Sequence, residues 1–186
     1  MPGPELVDVE SALAAASAVG VPEPLARLNV FRLLLTRPRL AKASSDLLLS
    51  LLFGAELDAR LRELVIMRVA WTTGSAYEWA QHWRIATDAG VSPTELVGVR
   101  DWRDHGFEPE AAAVLGAADE ITGPGEATPE TVERLRALLG EDAALEAVAT
   151  AAAWTMLSSL LRSFSVPLED DLATWPPDGV SPQDAR

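Results

Sequence analysis

His82 stands in a stretch whose residue types suit acid–base chemistry, and the chain has only one other histidine, His105. Glu78 lies four positions before His82, and Glu63 lies on the preceding apolar run. A carboxylate one helical turn from an imidazole orients the ring and raises its affinity for a proton. On a helix, Ser75, Glu78 and His82 fall at i, i+3 and i+7, which puts all three on one face. A tight turn at Gly74 would fold the earlier helix back so that Glu63 meets the same pocket. Met67, Trp71, the single tyrosine Tyr77 and Trp79 would then wall it. Such apolar walls push carboxylate pKa values upward, toward the range of a general acid or base at neutral pH. Arg68 is the candidate to hold a substrate carboxylate through its two-pronged guanidinium, with solvent or a neighbouring subunit as its other destinations.

Plainer roles for the same residues stand beside these. A Glu–His pair one turn apart often does no more than stabilise a helix. Glu78 also stands at the capping-box position relative to Ser75, and tryptophans commonly serve a core or an interface. Glu63, Glu78 and His82 are a conceivable metal set, but no HxxxH or HExxH pattern accompanies them and His105 falls in a polar turn. Neither a metal nor another cofactor is expected. Glycine-rich phosphate loops and nucleophile elbows are absent from the sequence.

The elements that must position these residues read as helices throughout, with no strand alternation. An Ala-rich helix over 7–19 stops at Gly20 and Pro22. A second runs from Pro24 to Leu35, and a third from Pro38 to Phe53. The apolar Leu47–Phe53 half of the third belongs in a core or at a subunit contact. Asp58 caps a fourth helix reaching Trp71, and Ser75 caps a fifth reaching Asp88. Ser92-Pro93 opens a sixth that ends before Gly106. Three more cover 108–122, 128–140 and 141–165. The predicted class is all-α, a helical bundle with an added N-terminal layer. Its parts are an extension over 1–24, a main domain over 25–168 and an acidic, Pro-rich tail over 169–186, expected to be extended or disordered.

Composition narrows the function classes. A formal charge of −13, with 28 acidic against 15 basic residues, leaves no basic footprint for nucleic acid or anionic membrane. With no cysteine, thiolate nucleophiles, disulfide redox centres and Cys-ligated metals are excluded. The N-terminus does not read as a signal peptide. No uninterrupted apolar stretch approaches the roughly 20 residues that span a bilayer. A cytoplasmic location is expected.

Leu61-Arg62-Glu63-Leu-Val-Ile-Met-Arg-Val-Ala, then Ser75-Ala-Tyr77-Glu78-Trp79-Ala-Gln-His82 and Ala89-Gly90-Val91-Ser92, together resemble the carboxymuconolactone decarboxylase family, whose superfamily includes the AhpD alkylhydroperoxidases. The late Trp154–Arg162 stretch resembles its last core helix. The resemblance implies an AhpD-like bundle assembled as a trimer or hexamer. In the peroxidase branch, a Glu, a CxxC pair and a His act together; Glu63, Ser75, Glu78 and His82 stand at those positions. Both cysteines are replaced, so thiol peroxidase activity is disfavoured. The resemblance implies instead a cofactor-independent decarboxylase or related acid–base lyase or isomerase. Its substrate would be a small organic acid, lactone or enolisable carbonyl compound. His82 would be the acid/base, Glu78 its tuner and Glu63 a second proton carrier, with Ser75, Tyr77, Trp79, Arg68 and Trp71 around the substrate. The alternative is a non-catalytic helical oligomer that binds a small apolar ligand or a protein partner.

Overall fold

The computed structural model describes residues 5–185; the first four residues of the Pro/Gly-rich start, expected to be loose, lie outside the described part. Among the described residues all regular structure is helical. Helix α5 (Ala59–Thr73) is the centre. It buries Leu61, Leu64, Val65, Ile66, Met67, Val69, Ala70 and Trp71, which spreads apolar residues over nearly its whole circumference, as a core helix requires. It packs against α6 (Ala76–Asp88), α9 (Pro109–Thr122) and α11 (Glu141–Ser163), while α10 (Pro129–Leu139) braces α9 and α11. Helices α1 (Val9–Val19), α2 (Glu23–Ala26), α3 (Asn29–Leu34) and α4 (Pro38–Leu52) form a layer in which α1 touches the other three and α4 reaches α11.

Local signals set most boundaries. Asp8, Asp58, Ser75, Ser92 and Thr128 each cap a following helix through the side chain, satisfying amides that have no partner inside the helix. Gly74 takes the left-handed conformation at φ 70. There the Ser75 N–H donates back to the Ala70 carbonyl at 2.9 Å, and α6 is turned back along α5.

Two expected helices are divided. The helix expected from Pro24 to Leu35 is broken into α2 and α3 at Leu28, whose backbone is extended. The reason is distant in sequence: the Asn29 N–H donates to Glu169 Oε1 at 2.8 Å instead of to a carbonyl one turn earlier. The helix expected after Ser92 becomes α7 (Pro93–Gly98), a short tight turn over Val99–Asp101, and α8 (Trp102–His105). Arg68 Nη1 donates to the carbonyls of Val99 and Arg100 at 2.9 and 2.8 Å, which takes both acceptors out of a regular ladder.

The tail folds back over the bundle. Trp175 is buried and meets Trp71 edge-on, with ring centroids 5.9 Å apart. Trp79 Nε1 donates to the Pro176 carbonyl at 2.7 Å. Arg100 makes two 2.9 Å hydrogen bonds to Asp178, which hold that carboxyl down at about 2. The same guanidinium lies over the rings of Trp71 and Trp79 at 5.0 and 5.3 Å. The extended or disordered tail expected from composition is therefore corrected. Its proline content did not outweigh the apolar surface that Trp175 covers. Of the expected apolar run on α4, Leu48 and Leu51 face inward, while Leu47 and Phe53 are exposed. Helix α11 is long and apolar enough to cross a membrane by composition, and half of its most apolar window is buried inside the bundle.

Candidate active site

Helices α5 and α6 run side by side, and the turn at Gly74 sets their register. Glu63 on α5 thereby reaches His82 on α6: its Oε2 lies 2.7 Å from Nδ1 of the ring. Glu63 is fully buried. Its other oxygen lies 3.4 Å from Arg62 Nε, so the buried carboxylate has a cation beside it. Across the ring, Trp154 on α11 donates its indole N–H to His82 Nε2 at 3.0 Å. An indole has no acceptor, so Nε2 must offer its lone pair, and the ring's proton is on Nδ1, donated to Glu63. Glu78 Oε2 stands 3.6 Å from the same Nε2.

Glu78 reaches this place because its alternative partner is taken. As the third helical residue after Ser75 it is positioned to accept the cap's N–H. That N–H is already bonded to Ala70. Only half of the capping box forms: the Ser75 hydroxyl accepts from the Glu78 N–H at 3.4 Å, and the Glu78 carboxyl turns toward His82. Ser75 itself does not line the cavity.

Burial dominates the electrostatics. It lifts the Glu78 carboxyl from 4.5 to about 7, with the charges of Glu63 and Glu169 adding to the rise and His82 and the Trp154 N–H opposing it. Burial also works against charge on the His82 ring. The charge and hydrogen bond of Glu63, followed by the charge of Glu78, outweigh it and raise the ring's proton affinity. A second proton on Nε2 requires the indole N–H to release that nitrogen. Glu78, whose Oε2 stands 3.6 Å from the same Nε2, is the acceptor at hand.

Glu78 and His82 face a cavity of about 110 Å³. Tyr77 and Gln81 add polar edges, while Trp154, Leu157 and Ile85 continue the wall. The N-terminal layer supplies the rest: Leu25, Leu28, Val30 and Phe31 from α2 and α3, and Leu48 and Leu52 from α4. Residues 25–52 thus shape the cavity directly. Behind its polar edge sits Glu169. Its carboxylate accepts from Tyr77 Oη at 2.6 Å, from Gln81 Nε2 at 2.6 Å and from the Asn29 N–H at 2.8 Å. Burial, then the hydrogen bond to Glu169, pushes the Tyr77 hydroxyl far above its ordinary range.

Of the residues singled out in the sequence, Glu63, Glu78, His82 and Tyr77 converge. Glu63, expected as a second proton carrier, lies behind the ring and does not line the cavity. Trp71 and Trp79 stack on each other at 5.3 Å and on Trp175, away from the cavity. Arg68, the expected carboxylate clamp, is held by Asp119 at 2.5 Å and by the two α7–α8 carbonyls. The guanidinium lies outside the cavity, with Nε and Nη1 already taken, and does not serve there. His105 stacks on Phe107, with ring centroids 4.6 Å apart, and does not line the cavity that His82 faces. Sequence reasoning missed Trp154, Gln81 and Glu169 as site residues. The signal for Trp154 was an indole within an aliphatic helix, since a buried indole N–H needs an acceptor. Glu169 carried none, being one of three consecutive acids after Pro167-Leu168. Among the described residues no three His, Asp or Glu side chains are grouped as metal ligands.

This bundle and its buried Glu–His pair define an AhpD-like all-helical fold. Residues 38–120, which include both α5 and α6, match the model of the carboxymuconolactone decarboxylase family, in a chain that has no cysteine. A peroxidase-related protein with an AhpD core from Ralstonia eutropha JMP134 superposes with a TM-score of 0.71 at 19% identity, over 97% of this chain and 96% of that one. The debrominase Bmp8, in complex with 2,3,4-tribromopyrrole, gives 0.67 at 18% identity, over 87% and 86%. A protein of unknown function from Agrobacterium tumefaciens, described as a putative antioxidant defence protein AhpD, gives 0.65 at 20% identity, over 73% and 94%. At these identities the likeness establishes the fold. No curated protein matches the chain significantly.

Proposed function

We propose that the chain is a cofactor-independent acid–base enzyme, a lyase or isomerase that moves a proton on a small lactone, organic acid or enolisable carbonyl compound. The observation that carries this reading is the meeting of Glu78 and His82 at one apolar cavity, with the far side of the ring anchored by Glu63. A carboxyl that titrates at about 7 is available near neutral pH both as base and as acid. As carboxylate, Glu78 takes the proton from a carbon beside the carbonyl. The C–H electron pair moves into a carbon–carbon double bond, and the carbonyl oxygen becomes an enolate. That oxygen takes hydrogen bonds from N–H groups at the site, the Trp154 indole or a protonated His82 Nε2. Return of the proton to a different carbon yields an isomer. Decarboxylation ends in the same enolate, which protonated Glu78 quenches. Glu63 is a positioning residue that holds Nδ1.

The family match over 38–120 supports an enzyme of this kind, and the Bmp8 complex with a small brominated ring supports a small-ring ligand in such a bundle. Reduction of peroxide by thiols is not proposed, because the chain has none. A homo-oligomer, trimer or hexamer, built through faces that carry the exposed Leu47, Phe53 and Phe164 accompanies the proposal. The second reading is a non-catalytic binder of a small apolar ligand, favoured by the aliphatic majority of the cavity wall.

The deciding experiment follows exchange of α-protons for deuterium by NMR, using small cyclic ketones and lactones in heavy water. Wild type is expected to exchange at least one of them. Folded His82→Ala and Glu78→Gln proteins should lose about a hundredfold or more in rate. Equal exchange by wild type and both variants overturns the enzyme reading in favour of the binder.

A further inference from the structure

We infer that the cavity takes an uncharged molecule with a single polar group, so that of the substrate classes above the free carboxylic acids are turned away. The inference rests on the acid–base reading for what the ligand undergoes, whereas its charge argument stands on the walls alone. No Lys or Arg lines the cavity among the described residues. Three arginines of the surrounding elements are engaged elsewhere. Arg62 lies against Glu63, on the far side of the imidazole. Arg68 is tied to Asp119 and two carbonyls. Arg32 donates to the Val7 carbonyl and to Asn29 Oδ1.

Three carboxyl groups lie close by: Glu78 in the wall, Glu63 behind the ring and Glu169 behind Tyr77 and Gln81. Of the neutral donors at this wall, the Tyr77 hydroxyl and one Gln81 N–H are committed to Glu169, and the Trp154 indole N–H to His82. A carboxylate entering here would give up its water, face Glu78 and find no Lys or Arg in return, while His82, the wall residue that can take a second proton, already has Glu63 against it. Buried charge without a partner is among the costliest arrangements in a protein. A ketone, ester or lactone gives up far less, and its oxygen needs only one donor. The volume of about 110 Å³ is of the order of apolar cavities that accept a single benzene ring.

Acetophenone and benzoate test this as a pair of similar shape and opposite charge state. Each is titrated into the full chain by NMR. The His82 ring signals report entry into the cavity, and His105 serves as the internal control. Acetophenone is expected to shift the His82 signals and to bind about tenfold or more tighter than benzoate. Ile85 lines the cavity and is 40% exposed, so Ile85→Arg installs a cation at its rim without disturbing the core. That variant should narrow or invert the preference. Benzoate binding equal to or tighter than acetophenone in wild type, shifts of His82 by neither compound, or a preference unmoved by Ile85→Arg each overturns the inference. Exchange of the acetophenone methyl protons is read in the same samples. A ligand held selectively but never exchanged sinks the acid–base reading and leaves the charge selectivity standing. Exchange with no selectivity against benzoate does the reverse.

Discussion

Glu78 is the residue on which the proposed chemistry turns, and its buried carboxyl should be visible in stability. In the unfolded chain it loses its proton near 4.5; in the fold it holds it to about 7. Between those values the folded protein binds the extra proton. The contribution of Glu78 is therefore fully present below 4.5 and is lost as pH rises through about 7. Glutamine mimics the protonated form and has nothing to lose. Glu78→Gln is thus expected to gain on wild type by about 2–3 kcal/mol between roughly pH 4 and pH 8. Urea melts at the two pH values measure it, and an offset that stays constant with pH would mean that the carboxyl is solvated. The same carboxyl shows how one local bond redirects a side chain: the backward hydrogen bond from Ser75 N–H to Ala70 frees Glu78 from capping duty.

At the scale of elements, the joint between α2 and α3 is held open by a residue from beyond α11. Glu169 accepts from the Asn29 amide, from Tyr77 and from Gln81, and it thereby ties α3 to α6 where Leu28, Val30 and Tyr77 wall the cavity. Removing the acceptor strands three donors, and stranded donors cost more than the bonds themselves contributed. Glu169→Ala should destabilise the fold by about 2–4 kcal/mol and speed tryptic cleavage at Arg27, with Glu169→Gln recovering part of both. Thermal melts and limited proteolysis check this; a Glu169→Ala protein indistinguishable from wild type would show that the clasp is idle in solution. The joint also explains why a helix expected to be continuous over 24–35 is two. The propensity of the segment is helical, and one long-range hydrogen bond at Asn29 competes successfully for the amide.

At the scale of the whole molecule, the tail is a strap. Trp175 fills the space beside Trp71 and Trp79, Pro176 accepts the Trp79 indole N–H, and Asp178 pairs with Arg100. Trp71 and Trp79, assigned to the substrate from sequence, work here instead. Trp175→Ala is expected to cost about 3 kcal/mol and to shift tryptophan emission to the red as Trp71 and Trp79 meet water. Near-neutral cost with unshifted emission would mean that the strap contributes little. Because the strap begins just beyond Glu169, loosening it should also weaken the clasp on α3.

The all-α class, most helix ends, the Gly74 turn and the pairing of Glu63, Glu78 and His82 were legible in the sequence. Each depends on partners a few residues apart, or on one glycine that turns a helix back upon its neighbour. Helical period, capping residues and a left-handed glycine leave marks that a linear reading detects. The absence of redox thiols followed from composition alone. The rest depended on residues far apart in the chain. Trp154 meets His82 across 72 positions and Glu169 meets Tyr77 across 92, and neither contact has a local signature. Arg68 is the reverse case. Its type and place suggested an anion clamp, and only the fold revealed Asp119 and two carbonyls already occupying it. The walls of the cavity, and with them its lack of a lysine or arginine, exist only once the N-terminal layer has closed over α6 and α11. A linear chain states which groups are available. Which of them are left unpaired to meet a ligand is settled by packing, because each pairing depends on every element that reaches the same place.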